Sequence, residues 1–216
     1  MQVTHCPTVQ LVDQMGDDCN IVNAARVSFN KKVDRITDKD IRLLNYLAKH
    51  GHWSPFAHTC ISIRCEAPIF LARQLVKHEV GGSWNEVSRR YVSTIPSIYV
   101  PKCLHVSAEN AKQGCGGVHP SSETYLGKIE RISEALVEAY DQLVEADVAP
   151  EEARMILPLN MNTTWVWTGS LYFFFRVYKQ RIDSHAQLVA QDFAKQLDNL
   201  MGTLYPYAWK ALKENQ

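Results

Sequence analysis

Residues 67–91 read APIFLARQLVKHEVGGSWNEVSRRY, an apolar lead-in followed by the densest polar chemistry in the chain. Pro68 suits the first turn of a helix, where its missing N–H would be unpaired in any case. The pattern predicts a helix running to Lys77 or His78, with Gln74 three and four residues before them, so that an amide, a cation and an imidazole share one face. Gly81 and Gly82 then stop the helix and let backbone come close to a neighbour. Beyond them Ser83, Asn85, Glu86, Ser88, Arg89, Arg90 and Tyr91 read as a polar loop. Hydroxyls, an amide, a carboxylate and two guanidiniums at this density suit a phosphorylated, hydrogen-bonding ligand. A solvated helix end with a polar loop would give a similar but sparser pattern.

Upstream, Thr59 to Glu66 alternates, with Ile61, Ile63 and Cys65 on one face and Cys60, Ser62, Arg64 and Glu66 on the other, the period of a half-buried strand. Before it, Met1 to Leu11 holds at most one edge strand. Asp17 or Asp18 caps a helix reaching Val27. Thr37 or Asp38 opens another, whose apolar positions Ile41, Leu44 and Ala48 fall at helical spacing and which Gly51 closes. His50, His52 and His58 lack a completing carboxylate or thiol, so no metal is expected.

Downstream, Tyr91 to Tyr99 reads as a second strand, and residues 102–122, rich in glycine, as a surface excursion or lid. Tyr125 to Glu145 carries an amphipathic stripe of Leu126, Ile129, Leu136, Ala139, Tyr140 and Leu143. Pro150 starts a short helix that carries Arg154 and stops before Pro158. An arginine in so apolar a setting calls for a phosphate or carboxylate beside it. Thr164 to Gln180 is read as one aromatic helix, buried on several sides as at a subunit interface, that delivers Arg181 at its end. Ser184 and Gln187 then form a capping box for the last helix, packed through Val189, Phe193, Leu197 and Leu200.

The whole chain of 216 residues is expected to form a single domain, and its 46% hydrophobic content is enough for a core. Lys and Arg together number 23, as do Asp and Glu, so no global field favours a nucleic-acid backbone. The chain lacks the ~18 consecutive apolar residues of a membrane span and a secretory leader is not read, so a cytoplasmic protein without membrane association is expected. Six scattered cysteines suit free thiols.

Four segments resemble, in order, the flavin-dependent thymidylate synthases: His52 to His58, Ala67 to Tyr91, Ala153 to Asn160, and Arg181 to Gln187. In the second, Asn85, Glu86, Ser88, Arg90 and Tyr91 match the family's motif, whereas Lys77, His78 and Glu79 stand where it has Arg-His-Arg. Eight residues separate Glu79 from Ser88, one more than in the motif. The resemblance implies a mixed α/β fold, a small antiparallel sheet packed with long helices. It also implies a homotetramer whose sites are shared between subunits. The implied reaction is reductive methylation of dUMP to dTMP, with methylenetetrahydrofolate as carbon donor and FAD reduced by NADPH.

On the matching positions, the resemblance puts Arg181 in the catalytic role, its fixed charge beside the O4/N3 edge of the pyrimidine. Ser88, Arg89, Arg90 and Arg154 would bind the dUMP phosphate, Gln74 and Glu86 the base or ribose, and Lys77 the nucleotide or the flavin. His52, Ser54, Lys77, His78, Glu79, Glu86 and His185 would line FAD, with Ser170 and Arg176 at positions where the family commonly has Asn. No cysteine falls in the matched segments near these groups, so a thiol nucleophile is not assigned to Cys103 or Cys115. Glu79 supports a competing reading, a catalytically impaired nucleotide-binding or regulatory homologue that keeps the dUMP site and binds flavin poorly.

Overall fold

The structure is a computed structural model that describes residues 2–108 and 114–216. The chain opens with β1 (Val3–Thr4) and β2 (Thr8–Met15). Next come α1 (Asp18–Arg26), capped by Asp17, and α2 (Asp38–Lys49), capped by Thr37, both where the sequence puts them. In each a reciprocal capping box closes the first turn, Asp17 with Asn20 and Thr37 with Asp40. After β3 (Cys60–Pro68) the chain enters α3 (Ile69–Leu75) directly, with Pro68 as N-cap.

The helix ends at Leu75, earlier than expected. The His78 amide donates to the Leu75 carbonyl at 3.0 Å and closes a turn, so Gln74, Lys77 and His78 do not share a regular helical face. Gly81 follows with φ +85°, the left-handed conformation that glycine takes without strain. The stretch read as a polar loop is in part a strand, β4 (Gly82–Glu86).

The larger correction concerns residues 164–180. They are not one helix but β8 (Asn162–Gly169) followed by α6 (Leu171–Arg181), after β5 (Ile98–Tyr99), β6 (His105–Ser107), β7 (Cys115–Val118), α4 (Ser122–Glu145) and α5 (Pro150–Ala153). Thr164, Val166 and Thr168 are β-branched and alternate with Trp165 and Trp167, a period of two that suits a pleated surface and crowds a helix. Ser170 separates the two elements; its hydroxyl accepts from the Phe173 amide at 3.2 Å and caps α6.

β8 is central in a four-stranded sheet of order β2-β3-β8-β4, antiparallel throughout. Ile61, Ile63 and Cys65 of β3 and Trp165 and Trp167 of β8 are buried on one face. Against them pack Phe174 of α6, Phe193 and Leu197 of α7 (Leu188–Leu204), and Trp209 of α8 (Pro206–Asn215), all in one core cluster. The aromatic run thus fills this chain's own core.

Gly82 and Gly169 are paired across β4 and β8, and the Phe173 ring lies over both. A Cβ on Gly82 would sit 2.4 Å from the ring and one on Gly169 2.3 Å, closer than any side chain tolerates.

Two further expectations change. Between Tyr91 and Tyr99 only Ile98–Tyr99 is strand, paired in parallel with β1; the Ser88 carbonyl accepts from the amides of Tyr91 and Val92 and turns the chain there. The Ser184 capping box is not formed: Gln187 is the N-cap of α7, without a side-chain bond. Pro206 divides the last helical stretch in two, and the Asp18 carboxylate of α1 accepts from Tyr207 and Ala208 at the start of the second. Within 102–122 the described residues form the antiparallel pair β6 and β7, while 109–113 lie outside the described residues. α4 rests through Val137 and Leu126 on a smaller cluster with Ile98, Val100, Met161 and Leu157. None of the helices among the described residues is long and apolar enough to cross a membrane.

Candidate active site

Phe174 and Val177, buried on α6, fix the helix so that Arg181 emerges from its last turn at the edge of the core. The Arg181 Nε–H donates to His78 Nε2 at 3.2 Å, and Nη2 donates to the Gln74 backbone carbonyl at 3.2 Å. Burial lowers the pKa of Arg181, but a guanidinium stays charged. His78 is half-buried, its ring 6.3 Å from that of Trp167. Burial first, then the charges of Arg181 and Arg176, hold its pKa down to about 4, so the ring is neutral at pH 7.

Arg181 lines a cavity of about 1150 Å³ together with Gln74, His185, Phe70, Tyr99 and Cys103. The Gln74 amide donates to the Gln187 side-chain oxygen at 2.8 Å, tying α3 to the start of α7. His185 is exposed beside Asp183, whose carboxyl accepts from its backbone N–H at 2.8 Å; that bond and the one to the ring hold the Asp183 pKa below the usual range.

The β6–β7 segment forms part of the cavity wall through Leu104, His105 and Cys115. Cys6, Cys103 and Cys115 all reach this cavity, and Cys103 Sγ lies 3.7 Å from His105 Nε2. Three cysteines therefore line the same cavity as Arg181, although none lies in the matched segments. Tyr99 and this wall were missed because they carry no local pattern, whereas Gln187 stood in the quoted 181–187 segment.

A second cleft of about 360 Å³ lies on the other side of the start of α3, lined by Ile69 where the first has Phe70. It gathers Glu86, Ser88, Arg89 and Arg154. Glu86 is held by the Thr163 hydroxyl at 2.7 Å and Trp84 Nε1 at 3.2 Å. Arg89 donates to the Thr94 carbonyl, and Ser88 Oγ accepts from the Arg90 amide at 3.3 Å. The Arg90 guanidinium is exposed and lies 5.1 Å from the Tyr91 ring centre. Arg154 is exposed rather than buried among apolar neighbours; its Nε donates to the Glu151 carbonyl, and among the described residues it forms no salt bridge.

The remaining predicted residues lie elsewhere. His52 and Ser54 are exposed on the turn after α2, where the Trp53 ring sits 5.9 Å from that of Tyr172 at the start of α6. That end is ~15 Å from Arg181 along the helix. Ser170, at the same end, already spends its oxygen on capping. Arg176 donates to the Val80 carbonyl at 3.3 Å, and Lys77 and Glu79 are exposed on either side of His78. Within one chain, then, Arg181, Gln74 and His185 share one cavity, Glu86, Ser88, Arg89 and Arg154 share another, and His52 and Ser54 line neither.

The family model described as thymidylate synthase complementing protein matches residues 10–207. A flavin-dependent thymidylate synthase of Thermus thermophilus is 36% identical over 96% of this chain and 76% of its own length. One of Thermotoga neapolitana is 36% identical over 94% and 89%. A crystal structure of a UMP/dUMP methylase, PolB, from Streptomyces cacaoi bound with 5-Br dUMP superposes with a TM-score of 0.87 at 27% identity, covering 99% of this chain and 97% of that one. A match across nearly the whole chain, on the antiparallel sheet and helices described above, places this protein in the thymidylate synthase complementing protein family, the flavin-dependent thymidylate synthases.

Proposed function

We propose that this methyltransferase converts dUMP to dTMP with methylenetetrahydrofolate as carbon donor and FAD reduced by NADPH, and that no side chain attacks the pyrimidine. The observation that carries the reading is the Arg181 guanidinium, anchored on two sides by His78 and Gln74 at the wall of the large cavity. Methylation at C5 needs that carbon made electron-rich. A permanent cation at the O4/N3 edge stabilises the charge drawn onto the ring, and it costs little reorganisation when the donor group is already fixed.

The large cavity fits a flat, anionic cofactor: Phe70, Tyr99 and Leu104 give apolar surface, and Lys102 and His185 give donors. FAD, when bound, supplies the hydride that completes the methyl group, chemistry that no side chain offers. His185, Arg176, Lys77, Glu86, Ser170, His52 and Ser54 are the residues we assign to holding it, with Glu79 as an anionic neighbour that weakens phosphate contacts. For the nucleotide, Arg90 and Arg154, with Ser88 and Arg89, hold the phosphate; Gln74 and Glu86 orient the base or ribose.

Within one chain Gln74, Arg181 and His185 line one cleft, Glu86, Ser88, Arg89 and Arg154 line another, and His52 and Ser54 line neither. A second copy that brings one set to the other would complete a site that needs both, in keeping with a homotetramer whose sites are shared between subunits.

The test is anaerobic turnover of dUMP with methylenetetrahydrofolate, FAD and NADPH, read as dTMP by chromatography, alongside the visible spectrum during FAD titration. UMP runs in parallel, because the Streptomyces neighbour is described as acting on UMP and dUMP. dTMP formation with a flavin spectrum is expected. Binding of dUMP without any flavin spectrum would instead favour the non-catalytic homologue.

A further inference from the structure

We propose that His78 is a positioning residue for Arg181: its unprotonated Nε2 accepts from the Arg181 Nε–H and, with the Gln74 carbonyl, sets the plane of the guanidinium at the cavity wall. This rests on the reading of Arg181 as the group that activates the pyrimidine, and it differs from a direct flavin contact by His78.

A guanidinium has five N–H donors and no acceptor, so any nitrogen facing it must offer a lone pair. The imidazole therefore carries its single proton on Nδ1. A second proton would set donor against donor and charge against charge, with Arg176 adding a further cation. The surroundings favour the neutral ring: it is half-buried and faces the Trp167 indole. Its backbone is fixed as well, through the bond from the His78 amide to the Leu75 carbonyl.

Two donors of Arg181 are used in this way, one at Nε and one at Nη2. Three remain for a ligand, and their direction follows from the two that are anchored. Lys77 and Glu79, next to His78 in sequence, are both exposed and cannot substitute for it.

Two variants separate positioning from packing. His78→Gln keeps an oxygen acceptor on a side chain of similar reach, whereas His78→Phe keeps a ring and removes the acceptor. Expected is a fall of roughly 10- to 100-fold in kcat for His78→Phe, with KM for dUMP and the FAD dissociation constant changed much less, and substantial recovery in His78→Gln, because misplacing a reacting group by ~1 Å costs on that order. Equal loss in both variants together with weakened FAD binding would overturn the proposal in favour of a cofactor contact.

A second readout does not depend on turnover. In protein labelled with 15N-histidine, His78 should show the neutral Nδ1–H tautomer at pH 7, and its titration should move upward in Arg181→Gln. An Nε2–H tautomer, or a ring already charged at pH 7, would end the proposal even if the Phe variant failed to fold. The expected tautomer in a wild-type protein that makes no dTMP would leave the Arg181–His78 pair standing and sink the functional reading.

Discussion

The two clefts that hold the nucleotide candidates treat their arginines differently. In the larger, Arg181 sits at the end of a buried helix and is bonded to an imidazole and a carbonyl before any ligand arrives. In the smaller, Arg154 is exposed and forms no salt bridge among the described residues. The contrast matches two tasks. A group that must stabilise charge developing on a ring works by fixed orientation. A group that holds a phosphate works by charge and can stay solvated until the anion binds, contributing to ground-state affinity.

The sharpest way to break this comparison is Arg181→Ala. If orientation at the larger cleft carries the rate, kcat should drop by roughly 100- to 1000-fold while FAD still binds, as removal of one preorganised donor does elsewhere. Turnover near wild type in the purified variant would take Arg181 out of the mechanism. Gly169→Ala tests whether the two clefts share one frame, since β8 carries Thr163 beneath Glu86 at one end and Gly169 beneath Phe173 at the other. Overpacking of this kind costs about 1–3 kcal/mol, read by urea denaturation, and should shift kcat and KM together.

Arg154→Ala should raise KM for dUMP by roughly 10-fold and leave kcat nearly unchanged, the outcome when uniform binding is lost. A fall in kcat instead would mean that the smaller cleft also acts in the transition state. The mildest effect concerns pH. The His78 pKa falls from 6.5 to about 4 on folding, so between those values the unfolded chain binds more protons. Stability should therefore be full above pH 6.5 and decline as pH falls toward 4. His78→Gln should lack this component in thermal melts taken across the window; an identical decline in both proteins would assign it to other groups.

Much of this was legible in the sequence, and the failures have physical causes. The β3 alternation, the Asp17 and Thr37 caps and the α4 stripe follow from local periodicity and turn chemistry, which act over a few residues. Residues 164–180 misled because aromatic density was read before period: Thr164, Val166 and Thr168 alternating with the tryptophans, and Gly169-Ser170 after them, already marked a strand and a cap. The pairing of Arg181 with His78 joins residues 103 positions apart and no local pattern encodes it. Arg154 looked buried because its neighbours in sequence are apolar, yet Met155 and Leu159 are themselves 77% and 61% exposed.

The ring of Phe173, lying over two facing glycines, also limits how the outer strand can slide. Slipping β4 one step along β8 would bring Gly81 or Ser83 opposite Gly169 and turn Trp84 away from its stacking partner Trp165. Movement toward Ser83 would drive a Cβ into the ring as well. One aromatic side chain thus acts as a tooth that indexes the strand, and the longitudinal position of Glu86 and the segment leading to Ser88 is set by a residue that touches neither.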